Sequence, residues 1–273
     1  MDLKTPLSTA DIFRTFGFVI IRRFFDAISL GAEIDRVMKR GVASQQATHY
    51  SGINFQYVPM MTAETPVSLT LLDRVGALAE AVLGGPVLPT RAKGTLYFGN
   101  SPWHTDSESP VTSIGFLAYC EPLDAESGAL RVIPGSHHRQ HGDAIRKLGV
   151  NAEAAVVGIP SHAAETQPGD LILIDEHLFH SSYGGTVRRQ WRVDYLRVPL
   201  DAGEETNTKA YFANIYPADW DGSYDVDRYP SYGPDWRNSG RTSATHLERL
   251  GVYDLAAKQE AFVRSRKRSG VDL

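Results

Sequence analysis

Two rhythms of apolar residues divide the chain. In the first part they recur at helical spacing: Ile28, Leu30, Ala32, Ile34, Val37 and Met38 between Asp26 and Arg40, then Leu69, Leu72, Val75, Leu78, Ala79 and Val82 between Thr65 and Leu83. Such spacing lays a stripe along one face of an α-helix. Gly41 stops the first helix and Gly84-Gly85-Pro86 the second. Ser8-Thr9-Ala10-Asp11 opens a shorter helix with a capping residue and an acid in its first turn. Gly17 ends that helix before the compact β-type run Phe18-Val19-Ile20-Ile21. Residues 43–62, with His49, Tyr50, Asn54, Phe55, Gln56 and Tyr57, show no period and read as loop.

From residue 87 to about 200 the rhythm shortens. Thr90–Phe98, Thr112–Tyr119, Ala129–Ile133, Ala154–Val157, Asp170–Ile174 and Trp191–Val198 are rich in β-branched and aromatic residues and alternate with turn clusters. Short strands at near-regular spacing predict a β-sandwich or barrel, not a βαβ repeat. Residues 205–240, rich in Tyr, Trp, Asp, Gly and Pro, read as a long aromatic loop, and His246 to Arg268 as a final helical region. With no internal repeat and no linker, residues 1–273 are expected to form one domain: N-terminal helices over about 8–85, a β core over about 87–200, and an aromatic loop with C-terminal helices over about 205–268.

Composition narrows the function. At 42% hydrophobic and 22% charged, the chain has the make-up of an ordinary globular protein. A net charge of −4 argues against nucleic acid as partner, and the basic cluster Arg264, Arg266, Lys267 and Arg268 reads as a solvated helix end. The single cysteine, Cys120, excludes an internal disulfide and a cysteine-based zinc site; in the apolar run from Ile114 it reads as a small core residue. The N-terminal stretch shows no secretory signal, and no apolar run is long enough to span a bilayer. The expectation is a cytoplasmic protein with no membrane partner. No glycine-rich phosphate-binding string occurs either.

The candidate chemistry lies in Trp103-His104-Thr105-Asp106 and, far downstream, in Gly169-Asp170, His177, His180 and Arg192. In extended backbone, residues one apart point the same way, so His104 and Asp106 can reach one metal. A third ligand must come from another strand. His177 and His180 both lie just beyond the apolar run Leu171-Ile172-Leu173-Ile174, and the residues alone do not choose between them. Two imidazoles and a carboxylate on one face of an octahedron, with the other positions open, are the ligand set of non-haem Fe(II) oxygenases. Imidazole suits Zn²⁺ and Mn²⁺ as well, which leaves a hydrolase or isomerase open, and a ligand-binding cupin-like module without catalysis is a third reading. A zinc protease is not: no H-E-x-x-H string occurs. Arg188, Arg189 and Arg192 together could form no more than a solvated basic turn.

In order, residues 10–198 resemble the phytanoyl-CoA dioxygenase superfamily of Fe(II)/2-oxoglutarate oxygenases. The resemblance is carried by Phe16-Gly17-Phe18-Val19-Ile20-Ile21, His104-Thr105-Asp106, Glu126-Ser127-Gly128-Ala129-Leu130, Ile133-Pro134-Gly135-Ser136-His137, Gly169-Asp170 before a strand, His180, and an arginine opening the next strand. It implies a double-stranded β-helix (a jelly-roll, cupin-like barrel) with flanking helices. Iron would be held by His104, Asp106 and His180, with His137 in a structural turn. The family's arginine for 2-oxoglutarate usually falls eleven residues after the distal histidine; Trp191 stands there and Arg192 is next. Arg192 is therefore the expected anchor, Arg189 the alternative, with Ser182 assisting and Thr95 or Tyr97 as further donors.

The cofactors implied are Fe(II), 2-oxoglutarate and O₂, with succinate and CO₂ released as a small-molecule substrate is oxidised. Related halogenases replace the carboxylate ligand with a small residue; Asp106 is present, so hydroxylation is the expectation. Gln56, Tyr57, Ser107, Glu108 and aromatics between Tyr211 and Trp236 are candidate pocket residues, and the expected assembly is a monomer or homodimer.

Overall fold

The computed structural model describes residues 8–42, 48–50, 52–151, 158–219 and 224–268. Among these residues twelve strands form two antiparallel sheets. The larger has the order β1 (Phe18–Ile21), β10 (Leu171–Ile174), β7 (Ser113–Tyr119), β12 (Val187–Arg197), β5 (Lys93–Phe98), β3 (Ile53–Pro59) and β2 (Thr48–Tyr50), with β4 (Val87–Pro89) also on β12. The smaller is β6 (Ser101–His104), β11 (His180–Ser182), β8 (Leu130–Val132) and β9 (His162–Ala164). Two facing antiparallel sheets with helices outside them are the jelly-roll architecture expected.

β12 shows why the layers stack as they do. Its Trp191, Val193 and Tyr195 face outward and are buried beneath α2 (Ala27–Gly41) and α3 (Pro66–Leu83). The Trp191 indole donates to Ser68 Oγ at 2.7 Å and the Tyr195 hydroxyl to the Leu72 carbonyl at 2.8 Å, both on α3. The alternate residues Arg188, Gln190, Arg192 and Asp194 therefore point between the sheets. They are polar and buried. The helices cover the apolar face, and the inside of the sandwich is left for chemistry.

α1 (Thr9–Phe16) is capped by Ser8 Oγ and ended by Gly17, as the sequence signals indicate. Two loop expectations are corrected. Within 43–62, β2 and β3 form the sheet edge; β3 alternates aromatic and polar side chains in a half-covered position, which hides its period. Within 205–240, α5 (Ala202–Ile215) forms on an N-cap from Asp201 to the Glu204 amide, but it buries only Thr208, Tyr211 and Phe212 and so carries almost no apolar stripe. α6 (Pro234–Arg237), α7 (Thr242–Arg249) and α8 (Val252–Arg268) complete the C-terminal part. α4 (Arg139–Lys147) and β9 were not foreseen, and the strand expected at 154–157 lies outside the described residues. No helix among the described residues is long and apolar enough to cross a membrane.

The Gly-Asp turn before β10 fastens the N-terminal strand to the sheet. Gly169 has φ +100°, and its carbonyl accepts from the amides of Phe24 and Phe25. A Cβ there would sit 3.0 Å from the Phe25 carbonyl oxygen. Asp170 is buried, and its carboxylate accepts from the Arg23 amide at 2.9 Å, the Gln167 amide at 2.9 Å and Arg22 Nη1 at 2.7 Å. Burial opposes ionisation, yet these donors hold the Asp170 carboxyl below its ordinary value. Replacing Asp170 with Ala leaves two amides unpaired and is expected to cost roughly 3 kcal/mol, read as a lowered midpoint in urea unfolding with unchanged slope. The wild-type advantage is present above the carboxylate's unfolded pKa and fades as pH falls through its lower folded value.

Candidate active site

β6 and β11 pair directly, with His104 opposite His180, so two imidazoles 76 positions apart in number stand side by side, their ring centroids 4.2 Å apart. Asp106, two residues beyond His104, turns in to meet them. Its Oδ1 is 3.8 Å from His104 Nε2 and its Oδ2 is 3.5 Å from His180 Nε2. One ligand atom from each of the three lies within 4.8 Å of the others, and no other such group occurs among the described residues.

Hydrogen bonds set which atoms face inward. His104 Nδ1 lies 2.7 Å from the Pro102 carbonyl and His180 Nδ1 lies 2.9 Å from that of Leu178. In each ring Nδ1–H donates, which turns the Nε2 lone pair toward the common point, as metal-bound histidines require. Burial, with His180 beside it, pushes the His104 imidazole down to about 4, so it stays neutral and able to ligate. Burial works against the ionised form of Asp106, but Arg192, His180 and His104 hold its carboxyl far below the usual carboxylate range. Two neutral imidazole nitrogens and one carboxylate oxygen suit a divalent first-row metal with open positions.

His177 stands apart from this centre. Its Nδ1 is bonded to Asp175 at 2.9 Å and its Nε2 to the Ser109 carbonyl at 2.8 Å, which occupies both nitrogens. His137 is also elsewhere, its Nε2 3.1 Å from the Arg14 carbonyl.

Arg192 lies between two carboxylates. Its Nη2 donates to Asp106 Oδ2 and to Asp194 Oδ1, both at 2.8 Å, and its Nε donates to Asp194 at 2.9 Å. That guanidinium is committed to two carboxylates, one of them the candidate metal ligand. Arg189 is on the outer face, paired with Glu121 and Asp35. The inward arginine beside Ser182 is Arg188, which is buried; its Nη2 donates to Ser182 Oγ at 3.2 Å and its Nη1 to the Gly99 carbonyl at 2.7 Å. Gly128, at φ +99°, makes space for it: a Cβ there would meet Arg188 Nη1 at 2.7 Å.

Between the triad and Arg188 lie polar atoms with nothing to bind. Thr95 Oγ1, Gln190 Oε1 and Arg188 Nε are buried and lack a hydrogen-bond partner among the described residues. The register pairs Gln190 with Thr95 and Arg188 with Tyr97, placing all four on one inner surface. Buried polar groups are almost always satisfied, so two orphaned donors and an acceptor in one cleft fit a polar ligand. A dicarboxylate reaching from the triad to Arg188 and Ser182 would match the two donors.

Sequence reasoning missed Glu176. The Glu176 carbonyl accepts from the amides of Asp106 at 2.8 Å and Ser107 at 3.1 Å, fixing the ligand loop. Its buried carboxyl, raised by burial and by Asp194, accepts from the Tyr211 hydroxyl at 2.8 Å. Of the candidate pocket residues, Tyr57 is buried on the inner side, while Glu108 is exposed and paired with Arg146.

Residues 13–190 match the family model described as phytanoyl-CoA dioxygenase (PhyH). No curated protein sequence matches the chain. Among solved structures, HygX from Streptomyces hygroscopicus with nickel and 2-oxoglutarate bound is similar at TM-score 0.56 and 18% identity, over 70% of this chain and 88% of that one. SnoN, a non-haem α-ketoglutarate-dependent epimerase from nogalamycin biosynthesis, is similar at TM-score 0.54 and 18% identity, over 69% and 81%. AviO1 from Streptomyces viridochromogenes Tue57 is similar at TM-score 0.51 and 19% identity, over 70% and 94%. Those structural likenesses are of fold, and the family match extends over both sheets and the whole ligand triad. The chain belongs to the phytanoyl-CoA dioxygenase (PhyH) family of Fe(II)/2-oxoglutarate-dependent oxygenases.

Proposed function

We propose that this enzyme hydroxylates a C–H bond of a small metabolite or natural-product intermediate, with His104, Asp106 and His180 holding Fe(II), and Arg188 with Ser182 holding the far carboxylate of 2-oxoglutarate. The observation that carries the reading is the triad with both Nε2 atoms turned inward, set beside a line of unpaired polar atoms that ends at a buried guanidinium. The occurrence of SnoN in nogalamycin biosynthesis supports the substrate class. Iron with 2-oxoglutarate and O₂ supplies the oxidising power, with succinate and CO₂ as by-products.

The remaining work belongs to the chain. The guanidinium of Arg188 is always charged and forks onto a carboxylate, while the Ser182 and Thr95 hydroxyls and the Tyr97 phenol add donors along the cleft. Burial raises the Tyr97 phenol well above its ordinary value, so it keeps its proton and can donate. Arg192 donates to Asp106 Oδ2 and leaves Oδ1 on the side of His104, so Oδ1 is the oxygen that would hold the metal. Asp106 itself occupies the position a halide would need, which favours hydroxylation over halogenation.

Anaerobic protein with Fe(II) and 2-oxoglutarate is expected to show a weak visible charge-transfer band, absent in His104→Ala; no band in the wild type would leave a Zn²⁺ or Mn²⁺ enzyme or a binding module as the better reading. In a titration of that band, Arg188→Ala should raise the half-saturating 2-oxoglutarate concentration about tenfold to a hundredfold, the loss of a charge-assisted contact worth roughly 1.5–3 kcal/mol. Arg189→Ala should change it by less than about twofold, since surface ion pairs contribute little. Metal analysis provides a third check: His177→Gln should keep iron and His180→Gln should lose it, and the reverse result would reassign the distal ligand.

A further inference from the structure

Lys93 opens β5 directly opposite Arg192 of β12 and Pro59 of β3, on the inner face of the large sheet. Like charges opposite one another on neighbouring strands destabilise a sheet. Among the described residues the lysine makes no hydrogen bond and no ion pair; its ammonium lies 5.6 Å from the Tyr57 ring centroid, and Asp194 and Asp106 favour its charge only from a distance. The nearby carboxylates, Asp106 and Asp194, already accept from Arg192. Arg91, two residues earlier, adds another buried cation, held by the Tyr57 hydroxyl at 3.0 Å and by Gln259 Oε1 at 3.1 Å. Burial, with Arg192 close by, pushes the Lys93 ammonium down to about 8. A cation kept at this cost, level with the residue that touches Asp106, implies an anion that arrives with a ligand.

That anion is not the co-substrate. The donors assigned to 2-oxoglutarate run along β5 and β12 through Gln190 and Thr95 to Tyr97 and Arg188, whereas Lys93 stands level with Arg192, at the end of that row away from Arg188. We propose that Lys93 is the substrate-recognition residue of this oxygenase and takes a carboxylate or phosphate of the substrate, which would place the oxidised carbon of a small anionic molecule before the metal. This deepens the oxygenase reading and rests on it. The aromatic wall of Phe55 and Tyr57, with ring centroids 6.0 Å apart, would line the apolar part of such a molecule.

The test uses full-length protein with Fe(II) and 2-oxoglutarate under anaerobic conditions, and benzoate, inorganic phosphate and benzamide as probes. Acylation of Lys93 by a short pulse of an amine-reactive acetate ester, read by peptide mass spectrometry, should slow about tenfold or more with saturating benzoate or phosphate and less than twofold with benzamide. Benzoate should also shift the visible band of the wild type and of Lys93→Arg but not of Lys93→Met. Failure of both anions to protect Lys93, equal protection by benzamide, or full protection by 2-oxoglutarate alone would overturn the proposal. Absence of the band before any probe is added would instead strike the oxygenase reading, because protection of Lys93 is measured without it.

Discussion

The alternation of β12 is the constraint on which the rest depends. A strand has only two faces, and here the outer one carries Trp191, Val193 and Tyr195 into the layer beneath α2 and α3. Burial of those side chains contributes on the order of several kcal/mol and fixes the register. A slip of one residue would send a tryptophan into the cleft and the arginines into the core. The apolar face therefore holds Arg188, Gln190, Arg192 and Asp194 in place, and packing outside the sandwich sets the spacing of charges within it.

Inside, the site is organised by which charges are matched. Arg192 is matched twice, Asp106 is matched by Arg192 and flanked by two imidazoles, and burial raises the Glu176 carboxyl above its ordinary value. Arg188, by contrast, is held by a hydroxyl and a carbonyl, and the Lys93 ammonium lies over the Tyr57 ring.

Much of this could be read from the chain and some could not. The helices at 26–40 and 65–83 and the strands β5, β7, β10 and β12 carry strong patterns, whereas β6 and β11, which bring His104 and His180 together, are too short to show one; the Gly-Asp turn and His-x-Asp string mark chain reversals with specific chemistry. β3 and α5 were hidden because each buries few apolar residues in regular order. The proposed anchor, Arg188, differs from the expected Arg192 because counting from His180 assumes a loop length. The turn from Tyr183 to Thr186 is short, and strand parity separates Arg188 from Arg189 but cannot choose between Arg188 and Arg192. Only the contact of Arg192 with Asp106, invisible in one dimension, makes that choice.

The hydroxyl of Tyr211 comes from α5, beyond the segment matched by the family, and reaches the same residue whose carbonyl holds the amides of Asp106 and Ser107. The C-terminal helices are thereby coupled to the ligand loop through a single glutamate. The ligand loop is thus braced from a part of the chain that lies outside the family's matched segment, so the geometry around Asp106 rests on packing at the C-terminal end as well as on the sheets.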